Sequence, residues 1–439
     1  MTRPTHHGPP LRATVLRPER LARATLTLAA AGALLLGSAL VAPVAHAAPV
    51  VDTTVDASSV AAASAVKPSG GAFVIKGAGF GHGHGMSQYG AYGAAEKGLS
   101  WKEILGFYYP GTTLKTLSST TTIKVWITAD DDNNVRVMPN AGLKVYDSHD
   151  HSLVLPTGDQ YRSWRIKRSG AGYTLSWKNA SGTYTTYKTS LDPTTWHVSA
   201  KAKRVRLRMP DGTTREYRGT LQAVKRGSGL RTVNKVKLED YVRGVVPSEM
   251  PTSWATDAVR AQAVAARSYA IRIRDFTSYS GYDICDTTAC QVYRGKASTS
   301  AKGTRTVRET TGGDAATKAT AGTIVTYGGQ VALTQFASSN GGAMSYGGYP
   351  YLREKDDPYD GVVRSQAWSR TITTKAVARA YPSVGTVKEI TITKRDGSGR
   401  WGGRVITIKI VGSKKTVSTT GSGFQGKFGM RSSLYTVTS

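Results

Sequence analysis

Glu249 stands in the run Ser248-Glu249-Met250-Pro251, shortly before Trp254. A carboxyl hemmed in by apolar side chains loses water, and that loss favours its neutral form. An acid kept protonated near neutrality can hand a proton to a poor leaving group. The same residue could instead cap or salt-bridge the helix that follows. Gln262 and Tyr269, seven residues apart in an alanine-rich stretch, share one helix face. Arg267 lies beside them and can either meet a ligand carboxylate or lock Glu239 or Asp240. Ser338-Ser339-Asn340 precedes Gly341-Gly342, where the backbone can approach a ligand closely. No Gly-x-Ser-x-Gly frame surrounds those serines, so a hydrolase nucleophile is the weaker reading. In Gly81-His82-Gly83-His84-Gly85-Met86-Ser87-Gln88, the His-x-His pair offers a metal reading. The expectation is a hydrogen-bonding His82 with His84 incidental, and neither metal nor cofactor. Cys285 and Cys290, the only cysteines, read first as a small-loop disulfide, since zinc would need two further ligands and no His is near in sequence.

The compartment follows from the N-terminus. Residues 3–23 carry five arginines against Glu19, an apolar run extends from Ala24 to Pro43, and Ala45-His46-Ala47 reads as a cleavage site. This is the pattern of a signal peptide over residues 1–47, with a retained anchor helix as the alternative. Of the formal charge of +29, residues 3–23 account for +4. The rest gives the mature chain a strong self-repulsion and points to a polyanionic partner. The Lys and Arg are scattered through strand-like segments and no nucleic-acid-reading motif occurs, so nucleic acid is excluded as the expected partner. For an exported chain, anionic wall polymers remain.

The elements that must hold these residues form an α+β pattern. Residues 48–71 read as a disordered linker. Residues 72–118 read as a strand, a glycine-rich loop, a helix from about Met86 towards Lys97, and a second helix opened by a Ser100…Glu103 capping box. Residues 119–232 alternate in short runs, with Asp211-Gly212 as a hairpin signal, and form a β-rich region. The acidic run Asp130-Asp131-Asp132 reads as a solvated turn, lacking the glycine and distal Glu of a calcium loop. Residues 233–439 begin with a short helix ending before Pro247 and a long one from about Thr252. They return to strands near 320–352 and in a hairpin over 386–411.

Several of these runs resemble one family. Leu238-Glu239-Asp240-Tyr241-Val242, the Glu249 motif, Ala261 to Tyr269, Cys290-Gln291-Val292-Tyr293-Arg294-Gly295 and Ala337 to Gly342 follow the order seen in the SpoIID/LytB family, the stage II sporulation protein D and amidase-enhancer proteins. The glycine-histidine run resembles another of its motifs. The resemblance implies lytic transglycosylase chemistry on peptidoglycan glycan strands, with Glu249 as the acid. It implies sugar contacts from Gln262, Arg267, Tyr269, Tyr293, Ser338, Ser339, Asn340, His82 and Gln88. The amidase-enhancer branch implies the alternative: a non-catalytic wall-binding partner of an amidase. Two departures stand out. His84 occupies a usually aliphatic position, and the glycine-histidine segment, normally last, comes first. A circularly permuted domain follows, in which Leu434 to Val437 should pair beside Phe73-Val74-Ile75.

Overall fold

Behind the glycine-rich loop the chain turns into two short helices, α1 (Gln88–Glu96) and α2 (Trp101–Tyr108). Each starts at a serine. The Ser87 hydroxyl accepts from the Gly90 N–H at 3.0 Å. Ser100 accepts from Glu103, whose carboxylate reaches back to the Ser100 N–H at 2.8 Å, so the expected capping box is present. The computed structural model describes residues 64–439 apart from residues 150 and 193. The signal-peptide reading lies outside them.

α3 (Leu238–Glu249) and α4 (Thr256–Phe276) follow the β-rich region. α3 corrects the sequence expectation, because Pro247 lies inside the helix rather than beyond it. Proline removes one N–H from the ladder. Here the loss falls in the last turn, where the Ser248 hydroxyl donates to the Gly244 carbonyl at 2.8 Å and the Met250 N–H still reaches Val246 at 3.0 Å. The extra turn places Glu249 at the C-terminal end of the helix.

α4 is the element around which the rest is arranged. Val259, Ala263, Ala266 and Ala270 face a core shared by two large sheets. Ala258, Ala261, Val264 and Ala265 face a second core, with α1 and α2. Alanine on both sides lets neighbours approach closely and favours helix at no side-chain entropy cost. One large sheet has seven strands, including Thr122–Trp126, Gly229–Lys237, Thr220–Arg226 and the short strand Ile284–Cys285. The other has eight, in the order Tyr184–Leu191, Gly172–Lys178, Ser163–Ser169, Asn134–Val137, Arg204–Arg208, Thr214–Arg218, Ala297–Thr299, Arg305–Val307. The Asp211-Gly212 turn joins two of these as expected, with Gly212 at φ 82°.

A third core is built from Phe73, Ile75, Ile390, Ile408, Phe424 and Tyr435. In it, the strand Ala72–Ala78 pairs antiparallel with Tyr435–Thr438, Ile75 opposite Val437 and Gly77 opposite Tyr435. This is the contact the permuted reading requires. The 386–411 hairpin is present too, as Val387–Arg395 against Val405–Gly412. Two other expectations are corrected. Ala65–Val66, placed in the linker, adds an edge strand opposite Ile390 and Thr391. Asp130, placed in a solvated turn, is 2% exposed and accepts from the Thr232 hydroxyl; burial pushes its carboxyl up to about 7.

Arg267 is the one charged side chain of α4 that is completely enclosed, at 0% exposure. Its Nε and Nη2 donate to the two carboxylate oxygens of Glu239, each at 2.8 Å, and Nη1 donates to the Thr323 carbonyl at 3.0 Å. Glu239 also accepts from the Gly322 N–H at 3.1 Å. The pair therefore ties α4 to the first turn of α3 and to the strand Thr323–Tyr327. Arg267→Ala should lower stability by an amount near the bottom of the ~3–5 kcal/mol range for breaking a buried pair, since Glu239 retains some solvent contact. A urea midpoint in the variant equal to that of the parent chain would contradict this.

Candidate active site

Glu249 ends α3 half-buried, and its Oε1 accepts from the Val292 backbone N–H at 2.8 Å. It neither caps nor salt-bridges α4, whose N-cap is Ala255 with no side-chain bond. Burial raises its carboxyl above the usual range, partly offset by the Val292 hydrogen bond. The helix end acts in the same direction as burial: the carbonyl pole disfavours an anion, and no basic residue lies in the last turn of α3. The chemistry such a group supports is proton donation, followed by proton acceptance once it is ionised.

The loop that supplies Val292 is closed by the expected disulfide. Cys285 and Cys290 are bonded, with Cα atoms 5.5 Å apart. The short strand carrying Cys285 lies parallel to Thr122–Trp126, opposite Trp126. Inside the loop the Cys290 N–H reaches Thr287, and the Tyr293 N–H reaches Asp286. Asp286 accepts from the Thr128 N–H and hydroxyl at 3.0 and 2.6 Å and faces Arg215 at 3.7 Å. Next to Val292, Gln291 is buried, accepting from the Tyr241 hydroxyl at 3.0 Å and donating to the Ala266 carbonyl at 3.2 Å. Gln291 therefore bridges α3 and α4 directly beneath the acid. The phenols of Tyr241 and Tyr269 both feel the Glu249 carboxylate.

Tyr269, partly buried, continues the surface away from Glu249. Its ring lies 6.4 Å from that of Phe336, whose backbone hydrogen-bonds His82. His82 Nδ1 accepts from the His84 N–H at 2.9 Å, so any ring proton of the neutral form sits on Nε2. Crowding of the ring by protein, then His84 and the Arg404 guanidinium, pushes His82 down to about 4, although the residue still reaches solvent. His82 is a neutral hydrogen-bonding group at neutral pH. The glycine-histidine loop is pinned by Arg404, whose guanidinium donates to the Gly81 carbonyl at 2.9 Å and the Asn340 carbonyl at 3.0 Å. At Gly83 (φ +80°) a Cβ would strike that guanidinium.

The other expected ligand contacts divide by burial. Ser338 is partly exposed and its carbonyl accepts from the Tyr89 N–H at 3.0 Å, joining its loop to α1. Ser339 is fully enclosed, donating to Asp360 at 2.6 Å, and Asn340 donates to Asp357 at 2.7 Å. Both hold the loop rather than present groups to a ligand. Tyr293 is 1% exposed, and its hydroxyl donates to Asn234 at 2.9 Å under α3. Arg267 is committed to Glu239. These four are therefore scaffold in this structure, because no surface is left for a sugar to touch. Gln88 donates to Gln262 at 3.3 Å across the α1–α4 contact, and Gln262 is fully buried. Sequence reasoning missed Tyr241, Gln291, the Val292 N–H and Arg404. Gln291 and Val292 follow Cys290 directly, a usable signal; a backbone donor has no side-chain signature. Among the described residues, the group whose ligand atoms converge enough for a metal is Asp147, His151 and Asp192, in the β-rich region rather than at His82 and His84.

Residues 226–327, which include the half-buried acid ending one helix, the disulfide-closed loop bound to it and the alanine-rich helix behind both, match the SpoIID family model, described as Stage II sporulation protein. Through this segment the chain is similar to the SpoIID family. It is 34% identical over 141 residues to the stage II sporulation protein D of Bacillus subtilis, covering 30% of this chain and 41% of that one. It is 32% identical over 153 residues to the amidase enhancer of the same organism, covering 32% and 19%. An uncharacterized protein of Brachyspira hyodysenteriae is 43% identical over 82 residues, covering 18% and 22%. The chain thus spans less than half the length of each of these relatives.

The raised carboxyl has a thermodynamic consequence. Its folded value lies above the unfolded one, about 4.3, so the ionised form destabilises the fold at high pH and the cost vanishes below the unfolded value. Glu249→Gln should therefore raise the melting temperature at pH 7 by on the order of 1–3 °C, and the gain should shrink to nothing as pH falls towards 4. A gain that instead grows on acidification would show that Glu249 is stabilised as an anion.

Proposed function

We propose that the chain is an exported lytic transglycosylase that cleaves the β-1,4 bond between N-acetylmuramic acid and N-acetylglucosamine in peptidoglycan glycan. The observation that carries this reading is Glu249: a carboxyl raised by burial at a helix end, with a backbone N–H as its hydrogen-bond partner. Glycosidases that recruit water use a second carboxylate. A transglycosylase needs none, because the muramic C6 hydroxyl attacks its own anomeric carbon. Glu249 protonates the leaving oxygen as the glycosidic bond breaks. The carboxylate so formed then takes the proton of the C6 hydroxyl as the 1,6-anhydro bridge closes. Tyr269, Ser338 and His82, which keep surface exposure, meet the glycan. Export rests on the N-terminal pattern of residues 1–47, and anionic wall polymers are the partners that suit the charge.

The name of one relative, amidase enhancer, supports a second reading, in which the chain binds glycan and stimulates a partner amidase. One assay separates the two. Purified chain is incubated alone with intact and with peptide-stripped glycan, and the products are weighed by mass spectrometry. New muramic ends one water lighter than hydrolytic ends are expected. Glu249→Gln should keep glycan binding and lose at least ~10²–10⁴-fold in rate, the worth of general acid catalysis. Reducing ends would mean that water attacks. No product from the chain alone would leave the activator.

A further inference from the structure

In the eight-stranded sheet, register aligns like charges. Arg136 is directly opposite Arg165 on the neighbouring strand. On its other side Val137 is opposite Leu207, which sets Arg208 beside Arg136. Three guanidiniums thus stand side by side on three adjacent strands, about 5 Å apart between strands, on one face. Like charges directly opposite each other destabilise a sheet, so folding alone does not explain the row. Beyond the arginines it continues through Ser176 and Thr186 on one side and through Thr214 and Thr299 on the other, ending at Arg305.

The row borders a groove of about 680 Å³. Arg136 and Arg208 line it with Arg162 and Lys178, and no Asp or Glu does. Tyr184 stands in its wall, its ring covered by the Arg165 guanidinium at 3.6 Å. Two acids flank the groove: Asp132 pairs with Arg136 at 2.6 Å, and Asp211 sits in the turn after Arg208. Arg305 is occupied by Glu216 at 3.2 Å. Even so, four cations face one cavity.

We infer that this groove binds a linear polyol-phosphate polymer, laid across the strands along the arginine row. Guanidinium forks match phosphate oxygens two at a time, and the threonines of the row offer hydroxyls to a polyol backbone. Nucleic acid is disfavoured because base binding needs open aromatic faces, and the tyrosine here is already stacked under an arginine. The site is separate in sequence and in sheet from Glu249, so it would hold the chain on an anionic surface while the acid works on glycan. It rests on the proposed wall function only for where such a polymer is met.

The test uses the full chain and fluorescently labelled poly(glycerol phosphate), read by anisotropy against salt. The variant combines Arg136→Gln, Arg165→Gln and Arg208→Gln. It is expected to weaken binding at least tenfold at low salt and to flatten the slope of log K against log salt by about 2. Circular dichroism should show the parent's fold, the repulsion removed offsetting the lost Arg136–Asp132 pair and the lost stacking of Arg165 on Tyr184. Should the triple variant fail to fold, Arg162→Gln with Lys178→Gln, outside the row, serves in its place. A control removes the same charge elsewhere, through Lys375→Gln, Arg379→Gln and Lys388→Gln, and should bind as the parent does. Equal weakening in the control would overturn the proposal, because net charge and not the groove would then be responsible. Single-stranded DNA bound as tightly through the same arginines would overturn the polymer class. Cleavage of peptide-stripped glycan by the triple variant should match the parent, while Glu249→Gln should bind the polymer normally, so either reading can fail alone.

Discussion

A guanidinium with no exposed surface needs a partner that meets it in full, and in this fold Glu239 meets Arg267 with both oxygens. The pair sits where α3, α4 and the strand Thr323–Tyr327 converge. A buried pair of this kind adds little net stability over a well-packed apolar set, yet it tolerates few alternative arrangements. Its role is therefore best understood as fixing register. α4 is otherwise made of alanines that pack against two cores and would slide with small loss. The bidentate contact, with the Ser268 hydroxyl accepting from the Val325 N–H at 2.8 Å, sets rotation and depth of α4. Gln291 takes its position from α4 through Ala266, and the Val292 N–H takes its position from Gln291.

Seen from Glu249, the supporting structure consists almost wholly of neutral contacts. A disulfide closes the loop, a backbone N–H steadies one oxygen, and a helix end withholds positive charge. Each choice has the same electrostatic sense. A lysine or arginine within the last turn of α3 would have stabilised the anion and lowered its pKa. The charged residues of α3 are instead in its first half: Glu239 pairs with Arg267, while Asp240 faces Arg218 at 3.9 Å and Arg243 at 3.5 Å. Ion pairs hold the helix at one end, and the acid is left unpaired at the other.

Much of this was legible in the sequence where a local rule applies. The Ser100…Glu103 box, the Asp211-Gly212 turn and the Cys285–Cys290 bridge each depend on a few neighbouring residues, and all three are found. The pairing of Ile75 with Val437 is different, being long-range; it was readable only because a family order implied it. Burial was the quantity the sequence concealed. Tyr293, Ser339 and Asn340 have side chains able to bind a sugar, and their partners Asn234, Asp360 and Asp357 lie about 20 to 60 positions away, so nothing local reveals that their groups are spent. Pro247 misled for the opposite reason. The rule that proline ends a helix is sound for an interior turn, but Pro247 lies in the last turn, so it withholds one donor, that for the Arg243 carbonyl, and the helix closes over it with the Met250 N–H bonded to Val246.

The strong positive charge of the chain and the raised carboxyl of Glu249 pose a conflict that distance resolves. A net charge of this size would favour the anion of every carboxyl in reach. At physiological ionic strength, exposed charges separated by more than about 8 Å are largely screened from each other, whereas desolvation acts at contact. The arginine row lies half-buried on one face of the central strands of the eight-stranded sheet, while the acid at the end of α3 is raised by burial. Where cations do come close to titrating groups, the effect is visible: Arg404 helps to keep His82 neutral. A strong positive charge can thus coexist with a carboxyl raised above its usual range, provided that the helix carrying the acid keeps its last turn free of lysine and arginine.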